Sequence, residues 1–164
     1  MNTATLVNNR SYAWPGFGRM AVTSLSMTID AWIPSQINAI SPLVDRLMQL
    51  IERSRCVAGN ESAVELALRE AVNNAVLHGN GMDAHKLVEV RCHCELGKGV
   101  SLTIKDQGKG FDPNKLPNPV APNRLEAEHG RGIYLMKLSM DQVSFEQGGT
   151  KVRMWKGRAT PHRV

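Results

Sequence analysis

At 164 residues, with 42% hydrophobic and 21% charged residues, the chain has the make-up of one folded domain with short extensions, which excludes intrinsic disorder. Three cysteines do not make a disulfide framework. No apolar run approaches the ~20 residues of a membrane span, and the first residues lack the apolar core of a secretory signal, so we expect a cytoplasmic protein without a membrane partner. The net charge of +5 permits an acidic partner, but aromatic residues at 5% are too few for a single-stranded nucleic-acid platform, and no direct nucleic-acid contact is expected.

Residues 1–22 mix polar residues with Tyr12, Trp14 and Phe17 without a clean period, which predicts an arm, either mobile or docked through its aromatics. From Leu25 the pattern alternates. Leu25, Met27, Ile29, Ala31 and Ile33 fall on one side and Ser26, Thr28 and Asp30 on the other, a half-buried strand that Pro34 ends. Ile37, Ile40, Val44, Leu47, Met48 and Ile51 then repeat at helical spacing to about Ser54, with Ser41-Pro42 able to restart the helix. A second helix runs from Glu61 to Leu77, with Asn60 as its cap and His78-Gly79-Asn80-Gly81 as its stop.

Two strands follow: Val88, Val90, Cys92, Cys94 and Leu96 alternate with polar residues, and Val100, Leu102 and Ile104 continue beyond a Gly97-Lys98-Gly99 turn. Residues 112–129 carry Pro113, Pro117, Pro119 and Pro122 and no apolar period, which predicts a long loop of the kind that serves as a lid. A third helix from about Gly132 to Met140 precedes a closing hairpin, Gln142–Glu146 and Thr150–Trp155, turned at Gly148-Gly149. The basic cluster Lys151, Arg153, Lys156, Arg158 and Arg163 reads as a solvated tail. Segregated helices and strands predict an α+β two-layer sandwich, with helices on one face of a mixed sheet.

Three places carry chemistry. In the second helix, Val64, Ala67, Leu68, Ala71, Val72 and Ala75 form an apolar arc, and Glu65, Arg69 and Asn73 the opposite one. Glu70 and Asn74 belong to neither and share a stripe at i and i+4 between apolar flanks. They either cap a neighbouring loop or bind a ligand, and Asn and Glu are ordinary oxygen ligands for Mg²⁺. Asp106-Gln107-Gly108-Lys109-Gly110-Phe111 follows a strand. It is either a plain turn or a carboxylate set to accept a hydrogen bond from an amino group such as that of adenine, with glycines permitting close approach. Gly130-Arg131-Gly132-Ile133 opens a helix, where free backbone N–H groups and the dipole suit phosphate.

Taken in order, Glu70–Gly79 (E-A-V-N-N-A-V-L-H-G), Asp106–Phe111 (D-Q-G-K-G-F), His129–Met136 (H-G-R-G-I-Y-L-M) and Gly148–Thr150 (G-G-T) resemble the asparagine box, the two glycine boxes and the closing glycine turn of the GHKL (gyrase-type, histidine-kinase-like) ATPases. The short length and the I-P-S…S-P opening at Ile33–Pro42 look most like the anti-sigma-factor serine/threonine kinases of that superfamily. The resemblance covers about residues 25–156 and implies an ATP-binding kinase-like domain at 23–157, between the arm and a tail at 158–164.

By position, the resemblance implies that Glu70 is the general base and that Asn74 is the Mg²⁺ ligand. Asp106 matches the adenine-reading aspartate, and Gly108 and Gly110 shape its pocket. Gly130 and Gly132 match the phosphate-cradling glycines, and Thr150 the threonine behind the adenine. His78, Phe111, Arg131 and Ile133, within the same motifs, are taken as nucleotide contacts. One position departs: where related kinases can carry an arginine, two places before the first lid glycine, this chain has Glu128, which leaves Arg131 or Arg124 for the γ-phosphate.

The implied function is an ATP- and Mg²⁺-dependent serine/threonine kinase and anti-sigma factor, a homodimer. It sequesters a sigma factor and phosphorylates an anti-anti-sigma protein. The alternative is a binding module that holds ATP as a structural ligand without phosphotransfer. A detached histidine-kinase catalytic domain is disfavoured, because the Gln36–Ser54 helix has no histidine to receive phosphate. Cys92-His93-Cys94 is read as two core thiols around an outward histidine rather than as zinc ligands. The methionines, Met136 and Met140 among them, are read as core or partner-facing packing.

Overall fold

Apolar alternation in the strands and helical spacing between them build two layers, and the computed structural model describes residues 17–22, 26–112 and 131–159. Strands β1 (Phe17–Val22), β2 (Ser26–Pro34), β3 (Leu87–Glu95), β4 (Gly99–Lys105), β5 (Gln142–Glu146) and β6 (Lys151–Gly157) form one sheet in the order β1-β2-β3-β4-β6-β5. Helices α1 (Ile40–Ser54), preceded by a short 3₁₀ turn, α2 (Glu61–Asn74) and α3 (Arg131–Ser139) complete the fold.

One sheet face is apolar. Ile29, Ala31 and Ile33 of β2, Val88, Val90, Cys92 and Cys94 of β3, and Leu102 and Ile104 of β4 are buried with Leu47 and Ile51 of α1 and Val64, Leu68 and Val72 of α2. Burying each of the larger side chains stabilises the fold by about 1.5–3 kcal/mol. The opposite face is polar: Arg91 pairs with Asp30, and the Thr28 hydroxyl bonds His93 Nδ1 at 2.8 Å. The two-layer α+β architecture is therefore the expected one. The cysteine reading also holds, since Cys92 and Cys94 are core thiols and His93 faces outward. A hydrogen bond with Cys94, together with burial, pushes the third thiol, Cys56, far above its ordinary range.

Four local expectations change. The sheet is not mixed, because every pairing among the described strands is antiparallel. Two helices separate β2 from β3 and return the chain to the end it left. The single crossover through α3 does make β5 run parallel to β4, but β6 lies between them. Residues 17–22, assigned to an arm, form the edge strand β1 on β2, with a bulge between Phe17 and Arg19. The rest of the arm, the 113–129 stretch of the expected lid, Gly130 and residues 160–164 of the tail lie outside the described residues.

The basic cluster is not a free tail. Lys151, Arg153 and Lys156 belong to β6, where the first two pair with Glu146 and the third with Asp141. Asn60 stands at the start of α2, but its side chain makes no cap bond. Its Nδ2 instead donates to the Gly157 carbonyl at 2.9 Å, tying the helix start to the end of β6, while the Glu61 carboxylate accepts the Gly59 N–H.

That distinction predicts the effect of Asn60→Asp. A cap would tolerate aspartate as well as asparagine. A tether loses its donor and sets a carboxylate oxygen against a carbonyl, which should lower unfolding free energy by about 1–3 kcal/mol. Chemical denaturation reads the difference, and equal stability of the two proteins would return Asn60 to a capping role.

Candidate functional site

The site forms where α2 stops being an α-helix. Sequence periodicity carried the helix to Leu77, but regular hydrogen bonding ends at Asn74, and a single π turn follows over Ala75–Gly79. The Asn80 N–H reaches the Ala75 carbonyl five residues back at 2.8 Å. The Val76 carbonyl accepts from the Met82 N–H at 2.8 Å and from the Ser35 hydroxyl at 3.3 Å. Ser35 and Asn80 are the two buried polar residues among those described, 0% and 3% exposed, and both hold this turn.

The π turn brings His78 and Gly79 against the loop that leaves β4. Gly79 packs on the Asp106 side chain, and a Cβ there would lie 2.6 Å from Oδ2 and 2.7 Å from Oδ1. A Cβ on Gly108 would collide with the Gly79 carbonyl, and one on Gly110 with the Gly148 carbonyl. Phe111 N–H donates to that same Gly148 carbonyl at 2.8 Å, so the loop after β4 is fastened to the β5–β6 turn. The Phe111 ring meets Phe145 edge-on, with centroids 5.4 Å apart.

These elements enclose a cavity of about 220 Å³. Its lining is largely apolar, with Ala71, Ala75, Ile104, Ile133, Met136, Phe145 and Val152. Asn74, His78, Asp106 and Thr150 supply the polar side chains. Asp106 is firmly placed: its N–H donates to the Thr150 carbonyl at 2.9 Å and its Oδ1 accepts the Gly108 N–H at 2.8 Å. Oδ2 has no hydrogen-bond donor among the described residues. Burial pushes the carboxyl above the ordinary aspartate range, against the opposing pull of the Gly108 N–H and the Lys86 ammonium. A cavity with apolar walls and one carboxylate suits a flat ring carrying an N–H donor.

Beside the cavity, the Glu70–Asn74 stripe faces the first turn of α3. A Cβ on Gly132 would lie 2.7 Å from Glu70 Oε2 and 3.3 Å from both amide atoms of Asn74, so glycine leaves the space between the helices open. A carboxylate and an amide thus flank the open space at Gly132. Among the described residues no three His, Cys, Asp or Glu side chains converge on a metal site. A cation held by Asn74 would therefore share its coordination with ligand oxygens and water, the usual habit of Mg²⁺.

Asn74, His78, Asp106, Gly110, Phe111, Ile133 and Thr150 all line the cavity. Gly108 packs under the π turn, while Glu70 meets Gly132 outside the lining. Arg131 is exposed at the start of α3, and Gly130, with Arg124 and Glu128, lies outside the described residues. Sequence reading missed the roles of Ser35, quoted only within the I-P-S opening, and of Asn80 and Gln107, which it took as turn residues. It also missed Phe145, whose place in a short hairpin gave no sign of a ligand wall. Met136 and Met140 prove to be core, with Met136 also on the cavity.

Comparison with known proteins gives a consistent match. A family model described as a histidine kinase-like ATPase domain matches residues 33–156. The chain is 31% identical over 98 residues to the anti-sigma F factor of Clostridium novyi, covering 57% of this chain and 68% of that one. It is 33% identical over 100 residues to the anti-sigma F factor of Clostridium botulinum, covering 58% and 69%. A third relative, the anti-sigma F factor of Geobacillus stearothermophilus, is 33% identical over 85 residues, covering 51% and 58%.

The burial of Asp106 has a consequence for stability. A carboxyl raised in the fold contributes stability while protonated, and that contribution is lost as pH rises through its folded pKa. Asp106→Asn keeps an acceptor for the Gly108 N–H and removes the half-buried charge. At neutral pH it should melt above the wild type, with the gap closing in acid where the native carboxyl is protonated. A gap of constant size across that range in thermal unfolding would contradict the assigned cause.

Proposed function

The chain belongs to the histidine kinase-like ATPase family, and from that premise we propose that it is a cytoplasmic, homodimeric anti-sigma factor with serine/threonine kinase activity. It holds a sigma factor in check and uses Mg·ATP to phosphorylate an anti-anti-sigma protein. The names of its relatives support the anti-sigma reading, and the family supports ATP as the ligand. The observation that carries the kinase reading is the Glu70 carboxylate lying against Gly132 in the first turn of α3. A proton acceptor there adjoins the place where negative phosphate is best received.

The residues divide the work by their surroundings. Asp106, fixed by the Gly108 N–H, accepts the adenine amino group through Oδ2. Guanine presents an oxygen at that edge and is disfavoured. The aliphatic walls and Thr150 hold the ring, and the N–H groups at the start of α3 receive the phosphates. Asn74 Oδ1 contributes one ligand oxygen to the metal. Bound Mg·ATP supplies the phosphoryl group and the charge neutralisation that its transfer needs. Glu70 takes the proton of the acceptor hydroxyl as that oxygen bonds to the γ-phosphorus and the bond to the β,γ-bridging oxygen breaks.

Glu70→Gln should lower phosphotransfer by roughly 10²–10⁴. Its ATP affinity and its sequestration of the sigma factor should stay near wild type, because neither needs a base. Transfer measured with labelled ATP and the antagonist protein decides it. Equal rates would remove Glu70 from the chemistry, and a wild type that holds its partner with ATP yet transfers no phosphate would make the protein a binding module. Asn74→Ala should weaken Mg·ATP far more than metal-free ATP in calorimetry. Equal weakening would take Asn74 off the metal.

A further inference from the structure

We propose that Asn80 is a positioning residue for base selection: its buried side chain fixes the peptide that carries Asp106, and so sets which purine the site accepts. This deepens the function proposed above and rests on Asp106 reading adenine. The geometry is a closed circuit of three residues. Asn80 Oδ1 accepts the Gln107 N–H at 2.7 Å, and Asn80 Nδ2 donates to the Leu87 carbonyl at 3.1 Å. The Leu87 N–H donates in turn to Gln107 Oε1 at 2.7 Å. The circuit joins the end of the π turn, the first residue of β3 and the loop after β4.

Gln107 directly follows Asp106, so the Asn80 bond fixes the plane of the peptide between them. The Asp106 N–H is already held by the Thr150 carbonyl at 2.9 Å, and Oδ1 by the Gly108 N–H. With backbone held on both sides and one oxygen engaged, Oδ2 has a set direction. Asn80 is 3% exposed and its backbone N–H also closes the π turn on Ala75, so one residue links the helix that carries Asn74 to the loop that carries Asp106. Leu87 and Gln107 are exposed, so Asn80 is the buried member of the circuit. A buried amide with both its oxygen and its nitrogen engaged holds its geometry, because the alternatives leave those groups unpaired. Asn80 does not line the cavity and acts through Gln107 and Asp106.

The test is calorimetric titration of the full chain and Asn80→Ala with Mg·ATP, Mg·GTP and magnesium triphosphate. A charge-assisted bond to the adenine amino group gives the wild type a preference for ATP over GTP of about ten- to a hundredfold. In Asn80→Ala that ratio should fall to within about threefold, while the affinity for triphosphate, which has no base, holds apart from any loss of folded protein. A purely structural role weakens all three ligands by one common factor, since apparent affinity scales with the folded fraction, and leaves the ratio intact. An intact ratio overturns the proposal while sparing the function. A wild type without preference for ATP overturns the adenine reading and this proposal together. If Asn80→Ala does not fold, amide exchange in the wild type decides: the Gln107 N–H should exchange at least about tenfold more slowly than that of Lys109, and equal rates would refute the circuit.

Discussion

The site depends on two segments that meet at glycines, whose missing side chains leave room for the contact. Gly79 lies on the Asp106 carboxylate, and Gly108 lies under the Gly79 carbonyl, each so close that a methyl group would collide. This contact joins the end of α2 to the end of β4, elements that chain order keeps apart. Neither glycine has a positive φ, so what matters at both is space. Gly110 adds conformation to space: its φ of +72° turns the loop toward Gly148, whose carbonyl takes the Phe111 N–H. Once these approaches are made, the cavity, the aspartate and the α2 stripe have fixed relative places.

Charge is distributed to match. The cavity is mostly apolar and holds Asp106 at some cost, since burial disfavours its ionised form. At the other end, Gly132 leaves open space beside Glu70 and Asn74. A ligand with a flat, weakly polar end and an anionic end fits such a division. A partly buried carboxylate held at such a cost is a common exchange of stability for function.

Much of the fold was legible because packing follows period. Ile29, Ala31 and Ile33, or Val88, Val90 and Cys92, face the core as alternation requires, and the α1 stripe of Leu47 and Ile51 lies where helical spacing puts it. β1 was not legible, since a short bulged edge strand with no clean alternation is held by its neighbour β2. The π turn escaped for a related reason. Leu77 continues the helical pattern well, and the change of hydrogen bonding at Ala75 is enforced by Ser35, Asn80 and Met82, none of which local propensity can see. The site showed the same split. Glu70, Asn74, Asp106 and Gly132 stand out as motif residues, whereas Asn80 looks like a turn asparagine because its partner Gln107 lies 27 positions away. Asn60 taught the same lesson, its partner Gly157 being 97 positions distant.

The central claim is that one cavity, between the end of α2, the loop after β4 and the start of α3, holds the nucleotide by its base and presents its phosphates to Glu70 and Asn74. A crystal structure of the full chain with Mg²⁺ and a non-hydrolysable ATP analogue tests this most directly. The account predicts the adenine amino group on Asp106 Oδ2, the phosphates at the first turn of α3 and the metal on Asn74 Oδ1. A base bound outside this cavity, or an adenine whose amino group faces away from Asp106, would contradict it.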